Sequence, residues 1–178
     1  MQDSIPTRVD EIDWSRWTAV DRATLLFVIQ DERILLIRKK RGLGAGKING
    51  PGGRLEPGET PRQAAIREVT EEIGVVPTGV QPGGILRFQF VDGYSIHVWT
   101  FTASAYDGTL IETDEAIPMW YGVDQIPYDE MWADDIIWVP ELLRGRHFTG
   151  RFIFDKDAML DHRLDLEVPP EEFDGCHE

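Results

Sequence analysis

One segment, residues 53–75, constrains the fold more than any other part of the chain, and it reads GRLEPGETPRQAAIREVTEEIGV. Its Thr60-Pro61-Arg62-Gln63 is a helix start, because threonine caps, proline suits the first helical position and glutamine can close a capping box. Gly74 suits the left-handed position that follows the last turn of many helices. The segment therefore predicts a helix over residues 60–73, preceded by a glycine-rich loop.

Three carboxylates fall on one side of this helix, because Glu68 precedes Glu71 by three residues and Glu72 by four. Clustered carboxylates repel one another unless a cation lies between them, and Mg²⁺ prefers carboxylate oxygens together with substrate phosphates. Arg67 is predicted to tie Glu59 or Glu71 in place. A solvated acidic helix face is the alternative interpretation; the neighbouring glycines, Glu59 and Arg67 favour the metal site.

The same segment follows the pattern GX5EX7REUXEEXGU, where U is a bulky aliphatic residue, at every specified position. This is the Nudix box, and the chain resembles the Nudix hydrolases there. The resemblance implies a metal site formed by Glu68 and Glu72, with the carbonyl of Gly52 and the loop carboxylate Glu115 assisting. Glu115 on its own would be interpreted as part of an exposed acidic turn.

At 178 residues the chain is expected to form one main domain. We predict an N-terminal extension over residues 1–22, in which tryptophans dock onto the domain, a Nudix hydrolase domain over 23–168 and a flexible tail over 169–178. Strands are predicted over 23–30, 34–39, 84–91, 95–105, 117–121, 147–154 and 159–166. A second helix is predicted over 134–144, limited or kinked by Pro140. A mixed β-sheet flanked by helices follows, which is an α/β/α sandwich of the α/β class.

Charge and composition restrict the partners. The net charge of −14 makes the chain a poor binder of polymeric nucleic acid. No apolar run approaches the length of a membrane span. The N-terminus does not look like a signal peptide, and the single Cys176 excludes an internal disulfide framework, so a cytoplasmic location is expected.

Basic residues concentrate just ahead of the Nudix box, in Arg38-Lys39-Lys40-Arg41 and Lys47. Charge alone does not separate a phosphate-binding role from a solvated basic turn. Their position beside the Nudix box favours contact with a phosphate or nucleotide.

The resemblance extends from Thr24 to Val168, through stretches such as LLIRKKRGLGAGKINGPGG and MWADDIIWVPELL. These are similar to the MutT-type oxidised purine nucleoside triphosphatases of animal cells, which hydrolyse 8-oxo-dGTP and 2-hydroxy-dATP to monophosphates. The resemblance implies base recognition by Asn49, by a stacking Trp132 and by the pair Asp134-Asp135. The remaining residues expected at the substrate are Thr24, Lys39, Leu43, Phe88, Phe90 and Met119.

The chemistry of these residues suits a purine. A purine ring packs on an aromatic face, an amide reads a mixed donor and acceptor edge, and one of two adjacent carboxyls can stay protonated. As alternatives, Asp134-Asp135 would be a helix N-cap and Trp132 a core residue. Phe88, Phe90 and Met119 could equally be simple core.

Two positions depart from the family pattern. Leu43 replaces an aromatic residue, so one wall of the pocket is expected to be looser. Ala133 replaces the proline of the animal enzymes, in Trp132-Ala133-Asp134-Asp135, which is expected to relax that loop. Both changes bear on the preference for oxidised bases and not on the cleavage chemistry.

The sequence predicts a Mg²⁺-dependent pyrophosphatase, with Mn²⁺ as a possible substitute, that releases a nucleoside monophosphate and pyrophosphate from a purine nucleoside triphosphate. The general base is left open among four carboxylates, Glu68, Glu71, Glu72 and Glu115. A monomer is slightly favoured. The alternatives are a Nudix enzyme for another nucleotide, such as a canonical or methylated purine triphosphate or a dinucleoside polyphosphate, and a non-catalytic nucleotide-binding module.

Overall fold

A computed structural model of the protein describes residues 5–166 and 173. Two helices lie in this part of the chain, α1 (Pro61–Ile73) and α2 (Asp135–Leu143), besides short 3₁₀ turns at Val9–Glu11 and Tyr128–Glu130. The strands are β1 (Asp21–Gln30), β2 (Arg33–Lys39), β3 (Ile48–Asn49), β4 (Gly52–Arg54), β5 (Val76–Thr78), β6 (Gln81–Phe90), β7 (Ser95–Ala103), β8 (Ala105–Asp107), β9 (Ala116–Gly122), β10 (Phe148–Asp155) and β11 (Ala158–Leu166).

The main sheet is mixed. Its strand order is β11-β10-β6-β7-β1-β2-β3, with β4 beside β1 and β9 beside β2, while β5 and β8 form a separate pair. Strand β1 runs parallel to β7, and β6 runs parallel to β10. The remaining neighbours in the main sheet are antiparallel.

Alternate side chains of the strands face opposite layers. On β1, Leu26 and Val28 belong to the apolar cluster that holds Val69 and Ile73 of α1. Phe27, between them, belongs to the cluster that holds Trp138 of α2. The helices therefore cover opposite faces of the sheet, which confirms the α/β/α sandwich.

Helix α1 forms as the sequence predicts. The side chain of Thr60 accepts a hydrogen bond from the backbone N–H of Gln63, and the Gln63 side chain closes the capping box. Gly74 ends the helix in the left-handed conformation, at φ 78°.

The observed elements differ from the predicted ones at several places, among them the strands β5 and β8, which the sequence did not predict. The glycine-rich loop predicted ahead of α1 contains the short strands β3 and β4, of which β4 pairs with β1. The turn after β1 has two residues, Asp31 and Glu32, both at positive φ, as a type I′ hairpin turn requires. Helix α2 continues through Pro140, because Val139 and Leu142 on either side of it are buried in the core.

The two chain ends meet the sheet through aromatic side chains. Trp14 and Trp17 of the N-terminal segment contact Arg151 and His97, respectively. The predicted tail over 169–178 lies outside the described residues except for Phe173, whose buried ring meets Phe101 edge-on at 5.4 Å. In the described part of the chain, neither helix has the length and apolar character needed to cross a bilayer.

Candidate active site

A cavity of about 350 Å³ lies between the sheet, the glycine-rich loop before α1 and the start of α2. Many residues singled out from the sequence line it. These are Thr24, Lys39, Leu43, Asn49, Gly52, Glu72, Phe88, Phe90, Trp132, Asp134 and Asp135. The cavity is acidic at the α1 side and largely aromatic at the α2 side.

The acidic side holds a group of carboxylates that could bind a metal ion. Ligand atoms of Glu68, Glu72 and Glu115 all lie within 4.8 Å of one another. Glu72 is only 5% exposed, and its Oε2 is buried without a hydrogen-bond partner. A buried carboxylate oxygen without a partner is costly unless a cation satisfies it, so these residues fit a divalent metal.

The pKa values of these carboxyls reflect the same crowding. Burial raises the pKa of Glu72 to about 8, and the neighbouring charge of Glu68 adds to the effect. Burial also raises the pKa of Glu68, although the hydrogen bond from Arg67 opposes this. A bound cation would favour the ionised form of both groups.

Arg67 fixes this part of the helix to the loop before it. Its Nε contacts Glu59 Oε1 at 2.5 Å, and its Nη2 donates to Glu59 Oε2 at 2.9 Å. Its Nη1 donates to Glu68 at 2.9 Å and to Glu71 at 3.2 Å. The hydrogen bonds from Arg67 are the main cause of the lowered pKa of Glu59. Arg67 thus holds both Glu59 and Glu71, the two partners that the sequence left as alternatives.

The glycines of the loop allow close approach between β4 and its neighbours. A side chain at Gly52 would overlap the backbone of Thr24 on β1. A Cβ at Gly53 would lie 2.5 Å from Oε2 and 2.7 Å from Oε1 of Glu68. Glycine at position 53 therefore lets the Glu68 carboxylate lie directly over β4.

Glu115 reaches the cluster from the loop before β9. Thr113 Oγ1 donates to the backbone carbonyl of Glu72 at 2.7 Å and accepts from the N–H of Glu115 at 3.2 Å. Arg41 Nη2 donates to Glu115 Oε1 at 2.8 Å. The loop is thus tied to the end of α1, which brings Glu115 beside Glu72.

The Asp pair lies at the other side of the cavity and is buried. Asp134 occupies the N-cap position of α2, but its side chain makes no capping hydrogen bond. Instead its Oδ2 accepts from Trp138 Nε1 at 2.7 Å. Asp135 is 3% exposed, and its Oδ2 has no hydrogen-bond partner. The geometry therefore disfavours the alternative in which this pair only caps the helix.

Burial raises the pKa of Asp134 to about 6. It raises the pKa of Asp135 further above its ordinary value, and the charge of Asp134 contributes to that shift. The hydrogen bond from Trp138 favours the ionised form of Asp134. The pair can therefore present one acceptor and one donor near neutral pH.

Trp132 stands at the wall of the cavity. Its ring meets Phe90 and Phe154 edge-on, at 6.4 Å and 5.6 Å between centroids. The Lys47 ammonium lies 5.2 Å from the Trp132 ring centroid. Leu43 lies at the rim and is 48% exposed, which leaves this wall more open than a buried aromatic side chain would.

One expected residue lies elsewhere. Met119 does not line the cavity; it packs against the core beside α2, and the Tyr121 hydroxyl lies 3.6 Å from its sulfur. On β9 it pairs with Leu36 of β2, and it packs against the same apolar cluster as Phe88 and Trp132 of the cavity wall. The role of Met119 at the substrate stays a prediction, beside the alternative of a core residue.

The structure adds residues that the sequence did not single out. Tyr94 and Arg54 line the cavity, and both contact Asp21 at the start of β1, at 2.8 Å and 3.2 Å. Trp138 holds Asp134, and Thr113 holds the Glu115 loop. Tyr94 directly follows the turn at Asp92-Gly93, a position that indicates a hairpin but not a side chain facing a cavity.

A mixed sheet between two helices, with clustered carboxylates on one helix, is the arrangement of the Nudix hydrolases. The NUDIX domain family matches residues 19–142, and the chain belongs to that family.

Individual proteins are similar to this chain over most of its length. The chain is 44% identical over 144 residues to the oxidized purine nucleoside triphosphate hydrolase of Danio rerio, covering 80% of this chain and 92% of that protein. It is 41% identical over 143 residues to the protein of the same name in Mus musculus, covering 79% and 92%. The crystal structure of a Mutator MutT protein from Bacillus halodurans superposes with a TM-score of 0.73 at 27% identity, covering 82% of this chain and 98% of that one.

Proposed function

We propose that this protein is a Mg²⁺-dependent pyrophosphatase that hydrolyses oxidised purine nucleoside triphosphates, such as 8-oxo-dGTP and 2-hydroxy-dATP, to monophosphate and pyrophosphate. One observation carries the proposal. A single cavity joins a carboxylate cluster at one end to a buried Asp pair beside Trp132 at the other. A triphosphate and its base would occupy these two ends together.

At the acidic end, Glu68, Glu72 and Glu115 would hold Mg²⁺, with the Gly52 carbonyl assisting. When bound, Mg²⁺ would neutralise the charge that develops on the phosphates and lower the pKa of the attacking water. The base that takes the proton of that water remains one of the four carboxylates Glu68, Glu71, Glu72 and Glu115. Mn²⁺ is a possible substitute, since it accepts similar oxygen ligands.

Between the two ends, two cations would meet the triphosphate. Burial lowers the pKa of Lys39, while the negative charge of Glu72 opposes that effect. Arg54 lines the same part of the cavity. Thr24, whose Oγ1 lies 3.5 Å from the carbonyl of Gly53, would contact the substrate where base and phosphates join.

At the base end, an ionised Asp134 and a protonated Asp135 would accept from and donate to the edge of the purine. Asn49 would add its amide, and Trp132 a stacking face. The oxygen or hydroxyl that oxidation adds changes the donors and acceptors on that edge. A pair that can do both accommodates more than one oxidised purine. The names of the Danio rerio and Mus musculus relatives support this substrate class.

The proposed catalytic domain spans residues 23–168, and it includes β10 because Phe154 of that strand lines the cavity. The enzyme would act in the cytoplasm on free nucleotides, with a monomer favoured.

One observation favours a second candidate among Nudix substrates. Leu43 is exposed at the rim, so a purine triphosphate without an oxidised base could also enter.

Pyrophosphate release from 8-oxo-dGTP, 2-hydroxy-dATP, dGTP and dATP, with and without Mg²⁺, tests the proposal. We expect Mg²⁺-dependent turnover with higher kcat/KM for the oxidised pair. Equal kcat/KM for all four would support the second candidate. No metal-dependent release from any nucleotide would leave only a binding module.

The variant Glu72→Gln tests the metal site, because a neutral amide replaces the buried carboxylate. We expect kcat to fall by about 10²-fold or more, as on loss of one electrostatic stabiliser, while the fold persists. Glu112→Gln is a matched control, because Glu112 is an exposed carboxylate that pairs with Lys40. Near-normal kcat in folded Glu72→Gln at saturating Mg²⁺ would remove Glu72 from the site.

A further inference from the structure

The N-terminal segment over residues 9–20, here called the strap, lies across the face of the sheet opposite to the base cavity. The backbone N–H of Val9 donates to Asp161 Oδ2 on β11 at 2.7 Å. The Arg151 guanidinium of β10 lies 5.9 Å from the centroid of the Trp14 ring. The strap is therefore fastened to the β10–β11 hairpin before it reaches β6 and β7.

At β6 the strap enters a chain of hydrogen bonds that leads to the cavity. Trp17 Nε1 donates to Gln89 Oε1 at 2.8 Å. The Gln89 amide Nε2 in turn donates to the carbonyls of Phe90 and Tyr94, at 3.0 Å and 3.2 Å. Phe90 and Tyr94 both line the cavity. The indole N–H thus orients an amide that joins the backbone of two cavity residues across the β6–β7 turn.

The end of the strap holds the same hairpin at two more points. The backbone N–H of Val20 donates to the buried Ser95 Oγ at 2.9 Å. The Tyr94 hydroxyl donates to Asp21 Oδ2 at 2.8 Å. The strap and the first residue of β1 therefore restrain the hairpin from Gln89 through Ser95.

Strand geometry explains how a contact behind the sheet can act on the cavity. Side chains alternate along β6, so Gln89 points to the strap while Phe88 and Phe90 on either side of it line the cavity. Strand β10 pairs with Gln89 and Phe90 of β6, whereas Ser95 of β7 and Tyr94 before it lie beyond the last residue pair between β7 and β1, Ile96 with Asp21. Backbone that lies outside such ladders is the more mobile part of a sheet. The Gln89 amide supplies hydrogen bonds at the place where the ladder between β7 and β1 ends.

We propose that Trp17 is a positioning residue for the base end of the cavity, acting through Gln89 on Phe90 and Tyr94. The inference rests on the proposed function in taking this end of the cavity as the purine site. It adds a residue that lies outside the segment matched by the NUDIX domain family. If the strap only added stability, variants of Trp17 would lower the melting temperature and leave the affinity for the base unchanged.

Two variants remove different hydrogen bonds of the chain that runs from Trp17 through Gln89 to Phe90 and Tyr94. Trp17→Phe keeps an aromatic ring and removes the indole N–H. Gln89→Glu keeps an acceptor for Trp17 and removes the donors to Phe90 and Tyr94. Arg16→Ala is the matched control, because the Arg16 side chain is 88% exposed and its ion pair with Asp13 is long, at 3.9 Å.

Binding of the monophosphate 8-oxo-dGMP, measured by calorimetry without Mg²⁺, reports on the base end alone. We expect both variants to bind about fivefold more weakly than wild type, as for loss of one hydrogen bond that orients the site. The KM for 8-oxo-dGTP should rise to a similar extent, while kcat at saturation stays within about twofold. The control should match wild type in all three.

Amide hydrogen exchange of the free protein provides a readout that needs no ligand. We expect faster exchange over residues 88–96 in both variants and no change over 61–73 of α1. Unchanged exchange, or unchanged affinity and KM with a lower melting temperature, would overturn the positioning role of Trp17. If wild type neither binds 8-oxo-dGMP nor hydrolyses 8-oxo-dGTP, the proposed function fails instead, and exchange over 88–96 then decides whether Trp17 positions the hairpin.

Discussion

Substituting Gly53 by alanine would displace a single carboxylate without removing it. Gly53 has no positive φ, so alanine can adopt its backbone conformation. The added Cβ would lie 2.5 Å from Glu68 Oε2, whereas ordinary contacts begin at 3.4 Å. The Glu68 carboxylate must therefore move by roughly 0.9 Å.

A movement of this size is large for a metal ligand. Mg²⁺–oxygen distances are near 2.0–2.1 Å, and sites tolerate changes of about 0.2 Å. Disturbing the support of a ligand typically costs about 10- to 100-fold in metal affinity. We expect Gly53→Ala to raise the Mg²⁺ concentration for half-maximal activity by that factor, with a fall in kcat even at saturating Mg²⁺.

The assay is pyrophosphate release as a function of Mg²⁺ concentration, with the melting temperature measured in parallel. Gly50→Ala is the matched control in the same loop, since its Cβ would meet the buried Phe27 ring at 2.5 Å and not a carboxylate. The control should lose stability and keep its Mg²⁺ dependence. An unchanged Mg²⁺ dependence in folded Gly53→Ala would refute the assignment of Glu68 as a metal ligand.

Two further predictions concern the base end. Trp132→Ala should raise KM for purine triphosphates by about 5- to 100-fold, since base stacking on an aromatic ring is worth roughly 1–3 kcal/mol. An unchanged KM in a folded variant would assign Trp132 to the core. Asp134 has a folded-state pKa of about 6, raised chiefly by burial from 3.8, so the stability linked to this group is present below pH 4 and is lost as the pH rises to about 6. Asp134→Asn removes this titration and also the charge that helps to raise the pKa of Asp135. The unfolding free energy of the variant should therefore increase relative to that of wild type between pH 4 and pH 7, by about 3 kcal/mol for the titration of Asp134. A difference that stays constant with pH would contradict the raised pKa.

The metal end of the site follows from local sequence, whereas the base end depends on distant parts of the chain. Helical periodicity alone places Glu68 and Glu72 on one side of α1, and local capping residues mark the start of that helix. The structure shows both features. The strands β3 and β4 were missed because a glycine-rich run carries no alternation of apolar residues. Tyr94 was missed because only the register between strands decides which side of the sheet a residue faces.

The central strand β1 has a consequence for how the chain folds. It pairs in parallel with β7, from Asp21 beside Ile96 to Val28 beside Ala103. During synthesis β1 must therefore wait until some seventy further residues have been made, and the carboxylate-bearing helix emerges before the sheet layer that covers it is complete. Non-local pairing of this kind slows folding, and the apolar face of β1 stays accessible to other chains in the meantime. The tight two-residue turn at Asp31 and Glu32 gives β1 an early local partner in β2 on its other edge, so the edge toward β7 is the one that stays open.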